Sequence, residues 1–141
     1  PIAVKEFIQL IGHFINGSAG TTNVRWIFNN NTNAVYARRV SSNGGVDGTA
    51  TSETTLRVSA NTAEYDDFEI SYTSSILTQE KLVISFSVNT GGSDATAAPD
   101  RAETAGKFVP APDIEITRVD GSDSGTGNYI SDTNLSVFGT D

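Results

Sequence analysis

At 141 residues the chain has the length of one domain built on a single core. A net charge of −8 and a pI of about 4.4 set its surface against a phosphate backbone, which excludes nucleic-acid recognition through a basic face. Cysteine is absent, so disulfides, thiolate metal ligands and cysteine nucleophiles are excluded together, while abundant Gly, Ser, Thr and Asn suit short strands joined by polar turns.

The opening stretch, Ala3 to Gly17, reads two ways. Val4, Phe7, Ile8, Ile11, Phe14 and Ile15 fit a helical stripe, whereas Ile8, Leu10 and Phe14 share one strand face and Asn16-Gly17-Ser18 supplies a turn; the turn favours strand. The apolar run Phe7 to Ile15 is broken by Gln9 and His13 and falls far short of the roughly 20 residues a membrane helix needs. Pro1 opens without the basic start of a secretory signal, and a leading proline is what removal of an initiator methionine leaves, so synthesis in the cytoplasm is expected.

Val24, Trp26 and Phe28 then alternate as a strand, an Asn/Thr-rich turn follows, and Tyr36 to Val40 returns before the break at Asn43-Gly44-Gly45. That pattern predicts a hairpin. Ser41 to Ser52 reads as loop, Thr54, Leu56 and Val58 as a strand, and Asn61 to Ala63 as a turn. Phe68, Ile70 and Tyr72 alternate with acidic or small residues and predict a half-exposed strand. The segment Lys81 to Val88 carries the strongest strand pattern, with Leu82, Ile84, Phe86 and Val88 on one face and Val83, Ser85 and Ser87 on the other; it is the candidate centre of a sheet.

From Asn89 to Pro112 the composition turns to Gly, Ala, Pro, Asp and Thr and predicts a long loop, with Gly106 to Val109 as a short edge strand and Pro110-Ala111-Pro112 as a stiff approach to the next element. Ile114, Ile116 and Val119 mark a further strand, Asp120 to Asn128 a loop, and Leu135 and Val137 a last strand ending at Gly139. Some eight strands without an internal repeat make the expected fold all-β, a single antiparallel β-sandwich domain over residues 1–141.

Candidate chemistry is sparse. His13 is the lone histidine and sits in an apolar strand, where a structural role is the expectation, because no nucleophile motif accompanies it. Glu53, Asp66, Asp67 and Glu69 are the carboxylates a glycosidase pair would draw on, but spacing does not pair them and a solvated acidic surface is expected instead. Asp120 and Asp123, with carbonyls near Gly121 and Gly125, are the candidate calcium ligands, although their spacing matches neither the EF-hand nor the nonapeptide repeat. Asn16, Asn30 and Asn134 begin glycosylation sequons of the kind a Ser/Thr-rich chain yields by chance. Arg38 and Arg39 point to opposite faces of a strand; pairing with acidic neighbours is the expectation, and a salt bridge to another subunit the alternative. Trp26 with Tyr65, Tyr72 and Tyr129 would supply the stacking platform of a carbohydrate-binding module, except that Trp26 alternates with core residues. No catalytic, cofactor-binding or metal-binding residue is assigned.

The chain resembles small β-sandwich virion proteins of tailed bacteriophages, found as capsid-decoration or tail-associated subunits. The resemblance lies in FIQLIGHF followed by Val24-Arg25-Trp26-Ile27-Phe28-Asn29 and Tyr36-Ala37-Arg38-Arg39, in Glu80-Lys81-Leu82-Val83-Ile84 followed by Pro99 to Lys107, and in Gly127-Asn128-Tyr129-Ile130 followed by Leu135-Ser136-Val137-Phe138-Gly139. It departs at Asn29-Asn30-Asn31-Thr32 and at Asp132-Thr133. The resemblance implies a jelly-roll-like sandwich without enzymatic activity, on the outer capsid surface of a virion, contacting the major capsid protein and copies of itself, as a trimer or another symmetric cluster. It implies neither a nucleic-acid nor a membrane partner. Residues 1–16, as an arm or strand, and 89–112, as a long loop, are the expected contact surfaces. A tail or fibre position is the alternative.

Overall fold

The period-two alternation of the sequence becomes ladders almost throughout. The computed structural model describes residues 5–59, 62–63, 66–78, 80–90 and 94–141. Its strands are β1 (Phe7–Phe14), β2 (Thr21–Thr22), β3 (Val24–Phe28), β4 (Tyr36–Ser42), β5 (Gly48–Glu53), β6 (Leu56–Arg57), β7 (Thr62–Ala63), β8 (Asp67–Ser74), β9 (Lys81–Asn89), β10 (Asp100–Phe108), β11 (Val119–Asp123) and β12 (Asn134–Thr140). Seven form one antiparallel sheet in the order β12-β1-β8-β9-β10-β4-β5, three form a second in the order β11-β3-β6, and β2 pairs with β7. The antiparallel β-sandwich expected from composition is the fold, with its strands divided unequally between the two layers.

The core lies where the small sheet covers the large one. Ile8, Leu10 and Phe14 from β1 meet Val24, Trp26 and Phe28 from β3, and Tyr36, Leu56, Phe108 and Ile116 complete the layer, all of them buried. Burying a side chain of this size contributes about 1.5–3 kcal/mol. Phe28, Tyr36 and Phe108 form a ring cluster with centroids 5.0–6.2 Å apart, and the Tyr36 hydroxyl accepts a hydrogen bond from the Phe28 amide at 2.9 Å.

That last bond joins segments that do not pair as strands, which corrects the expected hairpin. β3 is laddered to β11 and β6 in the small sheet, whereas β4 is laddered to β10 and β5 in the large one. The Asn-rich turn carries the chain from one layer to the other. Asn29 and Asn30 both take a left-handed conformation (φ 54°), which asparagine tolerates better than most residues. The Asn29 side chain then accepts from the amides of Thr117 and Arg118 and donates to the Glu115 carbonyl, tying the turn to the approach to β11.

Two further expectations are corrected. The stretch 41–52 is not all loop: after the turn at Asn43-Gly44, where Gly44 has φ 73°, the chain returns as edge strand β5, with a bulge opposite Tyr36–Arg38 and Ser52 left-handed at φ 55°. The supposed long loop 89–112 contains the nine-residue β10, laddered to β9 on one side and β4 on the other, so the connector proper runs only from 90 to 99. Small inward residues hid this strand. Gly106 is one of them because Leu56 from the opposite sheet lies directly over it; a Cβ there would stand 2.6 Å from Leu56 Cδ1. Of the arm or strand expected over 1–16, Phe7–Phe14 is strand β1, laddered between β8 and β12; residues 1–4 lie outside the described residues.

Candidate functional site

β9 is the fourth of seven strands, the central place its pattern predicts. Its polar side is the buried one. Lys81, Val83, Ser85, Ser87 and Asn89 face the small sheet, while Leu82, Ile84, Phe86 and Val88 face outward. β8 repeats the arrangement, with Asp67, Glu69, Ser71 and Thr73 inside and Phe68 and Tyr72 exposed. The register places Ile84 beside Tyr72, Phe86 beside Ile70 and Val88 beside Phe68, so the apolar side chains of the two strands merge. β1 and β12 extend the field with Phe7, Ile11 and Phe138.

The polar inner layer has a physical cause in Trp26. Its indole is fully buried and requires a hydrogen-bond acceptor. Nε1 donates to Ser71 Oγ at 2.8 Å, and Ser71 Oγ donates to Glu69 Oε1 at 2.8 Å. Ser85 Oγ donates to the same carboxylate oxygen. Burial holds the Glu69 carboxyl well above the ordinary glutamate value of 4.5; the hydroxyls of Ser85 and Ser71 oppose that shift and the neighbouring Asp67 adds to it. Oε2 of Glu69 has no hydrogen-bond partner among the described residues. With serines and carboxyls committed to the inside of β8 and β9, strict alternation puts their apolar partners outside.

The resulting outer face is uncharged. No outward position on β1, β8, β9 or β12 holds Asp, Glu, Lys or Arg, although the chain carries 17 acidic and 9 basic residues. Charge begins at β10, whose outward residues include Arg101, Glu103 and Lys107. Within the face lies a groove of about 490 Å³ lined by Phe7, Gln9, Tyr72, Leu82, Ile84 and Phe138 among others. Gln9 Nε2 donates to Tyr72 Oη at 3.1 Å, closing a polar pair in the groove wall.

The residues singled out from sequence are scattered around this face. His13 is exposed at its corner, beside Phe68, rather than buried in a core. Asp67 and Glu69 are buried, which corrects the expectation of a solvated acidic surface for these two. Asp66 accepts from the Asn16 amide, and Glu53 pairs with Arg38 at 2.9 Å. Arg39, on the outward side of β4, pairs with Asp47 at 3.1 Å, so both arginines find acidic partners within the chain. Asp120 is held by Arg118, and Asp123 accepts from the amides of Asn23 and Gly125; the two are engaged separately. Among the described residues no group of three metal-ligating side chains converges.

The sugar platform does not assemble. Trp26 is buried, the Tyr129 ring packs tilted against Phe14 with centroids 5.2 Å apart, and Tyr72 alone of the described members is exposed; Tyr65 lies outside the described residues. Sequence reasoning identified the two faces of β9 and left the exposed face unrecognised. The signal that could have found it was the polar character of the complementary side of both strands: Asp67, Glu69, Ser71 and Thr73 on β8, and Lys81, Ser85, Ser87 and Asn89 on β9. Comparison of the chain with protein-family models, with curated proteins and with solved structures finds no match.

Proposed function

We propose that the chain is a structural subunit of a tailed-phage virion, seated on the outer capsid as a decoration protein that works by burying surface rather than by chemistry. The observation that carries this reading is the apolar outer face of β12, β1, β8 and β9 in the large sheet, which holds no Asp, Glu, Lys or Arg. A protein held permanently in an assembly can leave such a face unguarded by charge, whereas a free monomer rarely exposes more than a few hundred Å² of contiguous apolar surface. The resemblance of its strand-and-turn segments to virion β-sandwich proteins supplies the kind of assembly. On a capsid each contact is modest and stabilisation accumulates as sites fill, through contacts with the major capsid protein and among copies of the chain.

The test is to strip the protein from purified particles, add it back, and follow heat and osmotic stability together with copy number. Restored stability at a copy number matching the capsid lattice is expected. Particles indifferent to its removal refute the stabilising role, and a copy number matching the tail moves the subunit there.

A further inference from the structure

Resting on that reading, we infer that the occupant of the outer face is a second copy of this chain, packed face to face across a two-fold axis that lies between the sheets and runs across the strands. Eight side chains of the face, from Phe7 to Phe138, are each between 43% and 57% exposed. At about half of roughly 150–200 Å² each, they present on the order of 700 Å² of apolar surface. A specific interface of standard size takes about 800 Å² from each partner. One two-fold contact therefore uses the whole face once. In a three-fold ring the same face would be divided between two neighbours, leaving each contact about half the standard area.

The relief of the face is self-complementary under this symmetry. The groove lies toward the end marked by Phe7, Leu82 and Thr140, and the side chains of Phe68, Phe86 and Val88 stand at the other end. An axis across the strands reverses one copy along the strand direction, so the Phe68–Phe86 end of each copy meets the groove of the other. Aligned sheets pack about 10 Å apart with their strands near 30° to one another. Electrostatics permits the contact despite the net charge of −8, because all four contributing strands are free of Asp, Glu, Lys and Arg on that side and the charged residues of β10 fall at the rim.

The experiment is sedimentation equilibrium of the full chain at micromolar concentration, beside Ile84→Glu and Phe86→Glu. A dimer for the parent and monomers for both variants, with unchanged far-UV circular dichroism, are expected, since both side chains point away from the core. A second arm keeps the test sharp if a variant misfolds. The chain has no cysteine, so Ile84→Cys carries a single thiol, and a short bis-maleimide should convert it to a covalent dimer in good yield, while Ser124→Cys, exposed just after β11 of the small sheet, should not crosslink. A parent that sediments as a monomer or as a trimer overturns the inference, as does a dimer that survives both glutamates, or equal crosslinking at both thiols. The particle experiment reads separately: a soluble dimer that never binds capsids leaves this inference standing and removes the virion reading, and a monomer that binds capsids does the reverse.

Discussion

Replacing Glu69 by glutamine removes one titrating proton from the layer between the sheets at nearly constant volume. The carboxamide oxygen of the variant still accepts from Ser71 and Ser85, and its NH2 group stands where Oε2 of Glu69 has no partner. The energetic difference is therefore chiefly ionisation. In the unfolded chain Glu69 titrates at its ordinary value of 4.5, and in the folded chain burial raises it well above that. Between those two values the folded state holds a proton that the unfolded state has released, so stability is full below 4.5 and falls as pH rises, reaching a floor once the folded carboxyl ionises. The slope across the window is about 1.4 kcal/mol per pH unit. With a urea m-value of roughly 1.5–2 kcal/mol/M for a chain of this size, the midpoint moves down by about 0.7–0.9 M per pH unit. The assay is urea unfolding from pH 4 to pH 8 at fixed protein concentration, read by fluorescence of Trp26, the sole tryptophan, which is linked to Glu69 through Ser71. Glu69→Gln should match the parent at pH 4 and become progressively more stable above it. A difference between the two proteins that stays constant across this range refutes the reasoning, because every other titrating group is common to both.

Asn29→Ala should cost about 1–3 kcal/mol, since alanine resists the left-handed turn and loses the bonds to Glu115, Thr117 and Arg118; Asn29→Gly, which recovers the backbone, should cost less, and equal losses in thermal unfolding would contradict this. Gly106→Val should destabilise by several kcal/mol, as its Cβ meets Leu56, and Leu56→Ala in the same chain should restore part of the loss; strictly additive calorimetric losses would show that the two residues do not collide. Arg38→Ala should cost about 1–2 kcal/mol and Arg39→Ala less than about 0.5 kcal/mol, because the Arg38–Glu53 pair is largely enclosed and the Arg39–Asp47 pair is open to solvent. The reverse order in chemical denaturation would refute that reading. Burial pushes the Tyr36 hydroxyl from its ordinary 10.0 up to about 12, so its phenolate should form near pH 12 in the folded chain and near pH 10 once the chain is unfolded, which absorbance at the phenolate band, read as the difference from Tyr36→Phe, will check.

Much of the molecule was legible in local sequence pattern. The all-β class followed from period-two alternation, and β3, β8, β9 and β12 lie where Trp26, Phe68 to Tyr72, Lys81 to Val88 and Leu135 to Val137 place them. Trp26 was recognisable as a core residue from its alternation with Val24 and Phe28. These are properties that a strand carries within its own few residues. Partner choice is not such a property: Val24 to Phe28 and Tyr36 to Val40 are equally good strands whether they pair with each other or, as here, join separate sheets, and β10 gains its ladder from β4 and β9 rather than from any pattern of its own. The candidate face shows the same limit most clearly. Alternation divides Leu82, Ile84, Phe86 and Val88 from Ser85 and Ser87, but a strand has two equivalent sides. Only the opposing sheet decides which one is buried, here by setting the Trp26 indole over Ser71 and Glu69 and so leaving the apolar side outermost.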